Sequence, residues 1–260
     1  MTAGTRSLPP GRYRFRHVAR MEWVKLASLR STWATLGTII AAAAGIAVLV
    51  AAGTKTASGD LTNSMMTGMF AGVLLAGVLG VLTVTSEYTS GTIRATLAAA
   101  PRRPLVLAAK AAVFAITTLI TGQAAAFLAF LAGRAALGHG IAAPALGQPG
   151  VLRTIVLSGA SLALIGLLGL GLGAIIRHTA AAVAVLVGVV YVGELFIGQI
   201  NRTIDTYLPA YIVGDSIGGR TCGPGAAGCP LPAWAGMSVL AAYAAAALLI
   251  GGCILAWRDA

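Results

Sequence analysis

WATLGTIIAAAAGIAVLVAAG, residues 33–53, decides how the rest of the chain is read. It runs 21 residues without a charge, and a helix needs about 20 mostly apolar residues to cross the hydrocarbon of a bilayer. A buried strand is far shorter, and a membrane barrel needs alternating polarity, which these residues lack. Working outward, five further runs repeat the pattern. Residues 61–85 lie between Asp60 and Glu87, 111–133 between Lys110 and Arg134, and 154–176 between Arg153 and Arg177. Residues 179–200 are apolar apart from Glu194 and Gln199, and 233–256 end at Trp257 and Arg258. The expectation is an all-α membrane protein with six transmembrane helices.

Composition agrees. Of 260 residues, 58% are hydrophobic and 10% charged, against about 25% charged in soluble domains. The mean hydropathy of +0.88 excludes a cytosolic enzyme, a disordered chain and a disulfide-stapled secreted module, because water would have to cover too much hydrocarbon. The net charge of +11 would suggest nucleic acid in a soluble protein. Here the basic residues flank the apolar runs, as membrane topology demands, and no nucleic-acid partner is expected. Arg6, Arg12, Arg14, Arg16, Arg20, Lys25, Arg30, Arg94, Arg102, Arg103, Lys110, Arg177 and Arg258 fall on one side, 13 in all. Lys55, Arg134, Arg153, Arg202 and Arg220, 5 in all, fall on the other. The basic excess puts both termini in the cytoplasm. Residues 1–32 are then a cytoplasmic N-terminal segment and 33–260 the transmembrane domain. The polar lead and the apolar run after it are both too long for a cleaved signal peptide, so residues 33–53 are expected to be an uncleaved anchor.

On a helical wheel of residues 15–33, Phe15, Val18, Ala19, Leu26, Leu29 and Trp33 form one broad stripe, with Arg16, His17, Arg20 and Ser28 mostly opposite. That predicts a basic amphipathic helix for the lipid interface, either a plain juxtamembrane anchor or a helix that senses a cytoplasmic partner. Glu22 interrupts the stripe and is placed to pair with Lys25.

Residues 86–110, SEYTSGTIRATLAAAPRRPLVLAAK, form the longest segment expected in the cytoplasm between spans. Gly91 breaks the preceding helix and Thr92 can cap a new one. Ile93, Leu97 and Ala100 recur at helical spacing, Pro101 stops the turn, and Arg102, Arg103 and Pro104 return the chain to the membrane surface. A short helix over 92–100 with an apolar face needs protein or lipid against it.

These residues resemble the ABC-2-type exporter permeases, which carry a Glu, then Gly-Thr, then Leu, Pro and Lys between their second and third spans. Glu87, Gly91, Thr92, Leu97, Pro101 and Lys110 match. The run Glu22-Trp23-Val24-Lys25-Leu26, with Ser28, Arg30, Ser31, Thr32 and Trp33, looks like the lead into the first span of many bacterial members. The resemblance implies a six-span permease of a bacterial plasma membrane. Its loop helix would dock on a separate ABC ATPase subunit through Glu87, Tyr88, Gly91, Thr92, Arg94, Leu97, Pro101 and Arg102. Glu22, Trp23, Lys25, Leu26 and Arg30 would belong to an interface helix along the inner leaflet that touches the same subunit. It implies a homodimer or a sibling permease as partner, and ATP and Mg in the ATPase chain rather than in this one. No Gly-Lys dipeptide occurs, so the chain has no phosphate loop of its own.

Glu194 is the one acid within a span. Either it is a polar contact in the translocation path or outer gate, with Tyr191 and Gln199, or it is an interfacial residue bonded to them. Cys222 and Cys229 lie in the outer loop, 201–232, where a disulfide is favoured over a zinc site because two further ligands are missing. The resemblance implies a short re-entrant or interfacial helix over residues 206–217 of that loop. The pairs Gly68/Gly72 and Gly169/Gly173 fit close helix packing. His17, His139 and His178 sit in separate segments, so no metal centre is expected. Two other function classes compete: an ion-gradient-driven carrier, opposed by the single intramembrane acid and the absence of a clear repeat, and a non-transporting scaffold.

Overall fold

The computed structural model describes residues 15–54, 61–92, 103–138, 141–193, 196, 202–217 and 232–257. Among them every regular element is helical. The elements are α1 (Phe15–Ser28), α2 (Arg30–Gly53), α3 (Leu61–Met66), α4 (Met69–Thr89), α5 (Arg103–Ala136) and α6 (Val151–Ile176), then α7 (Thr179–Val187) continuing as a π-turn (Gly188–Val192), α8 (Arg202–Asp205), α9 (Pro209–Ile217) and α10 (Ala233–Trp257).

Five helical stretches are long and apolar enough to cross a membrane: Arg30–Gly53, Leu61–Thr89, Pro104–Ala136, Val151–Ile176 and Trp234–Trp257. They mark the chain as a multi-pass helical membrane protein. The expected span over 179–200 is an apolar helix from Thr179 to Val192, and most of its remainder lies outside the described residues. All four tryptophans are at least 45% exposed, and three of them, Trp33, Trp234 and Trp257, lie near the ends of α2 and α10. Amphipathic rings favour that level, where hydrocarbon meets headgroups.

Helix α6 is the centre of the bundle. In its most apolar window 72% of residues are buried, against 28% in α2 and α10, whose remaining faces are exposed. It packs against α4, α5 and α10. Glycines set how closely. A Cβ on Gly80 would meet the Gly166 carbonyl oxygen, and one on Gly169 would meet that of Gly77. Gly122 of α5 stands in the same relation to Gly159. Backbones therefore touch with no side chain between them, which is how helices gain dispersion contact where lipid offers no hydrophobic drive. Gly173 abuts Val81, Gly72 meets Leu162 and Ile39, and Gly68 sits on Ala43, so both expected glycine pairs serve helix contacts.

Three local expectations are corrected. The helix expected over 15–33 breaks at Leu29, whose backbone is extended (φ −84, ψ 112). Ser28 donates to the Lys25 carbonyl and the Trp33 indole to that of Ala27, which satisfies the corner. The single lipid-facing stripe is consequently split. Val18 is buried against Val106 and Ala109 of α5, whereas Phe15, Leu29 and Trp33 stay exposed. Pro104, expected to lie in a surface return, falls in the first turn of α5, where its fixed φ and missing N–H cost nothing. In the 201–232 segment, the helix expected over 206–217 begins at Pro209 for the same reason. It buries Ala210, Ile212 and Val213 and packs on α6 and α10.

Candidate functional site

The 86–110 segment leaves α4 and returns as α5, and its two roots carry the motif residues Glu87 and Lys110. Glu87 lies in the last turn of α4, and Gly91, at φ +70, ends that helix in the left-handed conformation glycine adopts freely. Ser90 follows the helix with its hydroxyl bonded to the Ser86 carbonyl at 2.7 Å and paired with the Thr92 hydroxyl at 2.9 Å. Lys110 projects from α5 two turns past its start. Both side chains turn inward, and α1 lies across them.

Four charges meet there. Lys110 Nζ donates to Glu22 Oε2 at 2.6 Å and to Glu87 Oε1 at 2.8 Å. Lys25 Nζ reaches the same Glu87 oxygen at 3.2 Å and Glu22 Oε1 at 3.5 Å. Glu22, Glu87 and Lys110 are buried, at 3%, 9% and 8% exposure. Among the described residues two acids face two ammonium groups, and opposite charge at this range is what allows such groups to be kept out of water. The cluster stitches three elements that are distant in sequence: α1 through Glu22 and Lys25, α4 through Glu87, and α5 through Lys110. Val18 of α1, with Val106 and Ala109 of α5, forms an apolar cluster of its own along the same contact.

The two groups of residues expected to touch a partner are thus joined by their own charges. Of the interface-helix residues, Glu22, Lys25 and Leu26 face the bundle, and Trp23 and Arg30 face outward. Of the loop residues, Glu87 is buried, Tyr88 is half-buried beneath Arg177, and Gly91 and Thr92 are exposed. Arg94, Leu97, Pro101 and Arg102, with the helix expected over 92–100, lie outside the described residues. So do Glu194, Gln199, Cys222 and Cys229. Tyr191 stands in the π-turn, and its hydroxyl donates to the Phe70 carbonyl at 2.9 Å, tying α7 to the start of α4.

Reading the sequence paired Glu22 with Lys25 and missed the shorter bond to Lys110. Two signals were available: an acid set into the buried stripe of α1, and a lone lysine at the threshold of an apolar span. Each needs an opposite charge that neighbours on its own helix do not supply in full. Among the described residues no group of three or more His, Cys, Asp or Glu side chains stands together for a metal. No family model matches the chain, and no curated protein matches it.

Proposed function

We propose that this chain is the permease subunit of an ATP-driven exporter of the ABC-2 type, with six spans, both termini cytoplasmic, in a bacterial plasma membrane. The observation that carries the reading is the buried Glu22–Lys110–Glu87–Lys25 cluster. A loop that only connects two spans has no use for buried charges at both of its roots. A loop that receives force does, because a push on it must move α1, α4 and α5 together instead of being lost in local bending. Short charge-assisted bonds of fixed geometry give that stiffness. A separate ATPase subunit, holding ATP and Mg, grips the loop, and its closure switches the bundle between inward- and outward-open arrangements. Two copies, or this chain and a sibling, enclose the path.

The substrate class that fits is an amphiphile such as a drug, lipid or natural product. An apolar groove of about 350 Å³ between α5, α6 and α10, lined by residues including Ile116, Leu119, Leu164, Trp234 and Met237, supports that preference.

The test is direct. The tagged chain, taken from its own membranes in mild detergent, retains an ATP-hydrolysing subunit. Gly91→Val, which forces a branched side chain into a left-handed backbone, lowers substrate-stimulated ATP turnover while the complex stays assembled. Transport that persists with ATP depleted and the proton gradient intact, or a preparation with no ATPase, overturns the proposal in favour of a gradient-driven carrier or a scaffold.

A further inference from the structure

Three helices end at the same place on the loop side of the bundle. Helix α6 stops at Ile176, α4 ends beside Tyr88, and α10 is in its last turn at Ile254. Each helix C-terminus carries roughly half a negative charge on its unpaired carbonyls. Arg177 stands among them. Its N–H closes α6 by donating to the Gly173 carbonyl at 3.0 Å. Its guanidinium lies 5.2 Å from the centroid of the Tyr88 ring. Its Nη2 donates to the Ile254 carbonyl at 3.3 Å, in the last turn of α10.

This placement costs the chain something. Arg177 is the one residue other than glycine with positive φ among the described residues, at +60. Its Nε is buried without a hydrogen-bond partner. Glycine at this position would remove both penalties and still close α6. What arginine adds here over glycine is its side chain, which reaches the Tyr88 ring and the Ile254 carbonyl.

We infer that Arg177 is a positioning residue that ties the root of the 86–110 loop, through Tyr88, to the end of the last span, so that displacement of the loop is handed to the half of the bundle the Glu22–Lys110 cluster does not reach. The transmission role rests on the exporter reading. The tie itself does not, and it is measurable on this chain alone. Spin labels at Thr89→Cys and Leu249→Cys, both exposed, in a cysteine-free background reconstituted in vesicles without any ATPase, report the separation of α4 and α10.

The unsubstituted pair gives one narrow distance. Arg177→Gly, which suits the backbone, and Tyr88→Leu, which keeps bulk but removes the π face, each broaden it toward longer separations. Arg177→Lys and Tyr88→Phe, which keep cation and ring, restore the narrow distance. The inference fails if Arg177→Gly leaves the distribution unchanged. It fails if Tyr88→Leu does so, since the guanidinium would then hold α10 alone. It fails too if the conservative variants broaden it as much as the disruptive ones, since bulk and not the cation–ring contact would be responsible. Loss of the exporter reading would leave these distances untouched, so the two failures are told apart.

Discussion

Lys110 shows what a single charge does in this protein. It is buried between two carboxylates, and truncating it would leave Glu22 and Glu87 desolvated with only the half-exposed Lys25 to share. Removing one member of a buried ion pair costs about 3–5 kcal/mol, whereas replacing the whole set by packed apolar residues is often neutral or stabilising. Lys110→Met is therefore expected to lower stability by about 3 kcal/mol or more, read as a fall in thermal midpoint of the purified protein in detergent. Lys25→Met, at a side chain 38% exposed, is expected to cost under about 1 kcal/mol. Combining Glu22→Leu, Lys25→Leu, Glu87→Leu and Lys110→Met is expected to recover most of the loss. Equal, small effects of the two lysine variants would mean that water reaches the cluster and that it confers no stiffness. Half of this site was legible in the sequence. Glu87 and Lys110 are motif residues, and Glu22 and Lys25 are neighbours on one helical turn. Their convergence was not legible, because it depends on α1 folding back over α5, and the break at Leu29 that directs it carries no proline or glycine to announce it.

At the scale of the helix, glycine has opposite meanings on different faces. Alanine is worth about 1 kcal/mol over glycine in a helix interior. Gly45 of α2 has open space where a Cβ would go, so Gly45→Ala is expected to be neutral or mildly stabilising. Gly80 and Gly169 have a facing backbone carbonyl there. Gly80→Ala and Gly169→Ala must push α4 and α6 apart, with an expected loss of about 1–3 kcal/mol. Thermal unfolding of the three single variants checks the sign change, and a loss at Gly45 equal to that at Gly80 would remove the distinction. The apolar runs foretold five of these helices to within a few residues at most ends, since about 20 apolar residues admit few alternatives. Where the sequence misled, the cause was pairing. Which glycines meet a carbonyl and which meet lipid depends on the partner helix. The longer start of α5, from Arg103 and not residue 111, follows from Lys110 being paired inside the bundle instead of anchored at its surface.

At the scale of the whole molecule, the helices alternate in direction, so their connections sort onto two ends. One end holds the ion-paired cluster, the loop roots at Thr89 and Arg103, the turn at Arg177 and the end of α10. The other holds the connection between α5 and α6 around Gly147, together with α9. Among the described residues the first end carries Arg16, Arg20, Lys25, Arg30, Arg103, Lys110 and Arg177, and the side of the bilayer richer in Lys and Arg is the cytoplasmic one. This asymmetry decides whether a cytoplasmic motor can reach the loop at all. A lone cysteine at Gly147, exposed and with nothing within 4 Å of a Cβ, is expected to react in intact cells with a membrane-impermeant maleimide. One at Ser90, exposed beside the loop root, is expected to react only after the cells are opened. The reverse pattern would place the charge cluster and its loop outside the cell, away from ATP, and the exporter proposal would fall even if every helix were placed as described. Agreement would leave the loop between α4 and α5 facing the compartment that supplies the energy, rooted in charges that bind three helices into one moving part.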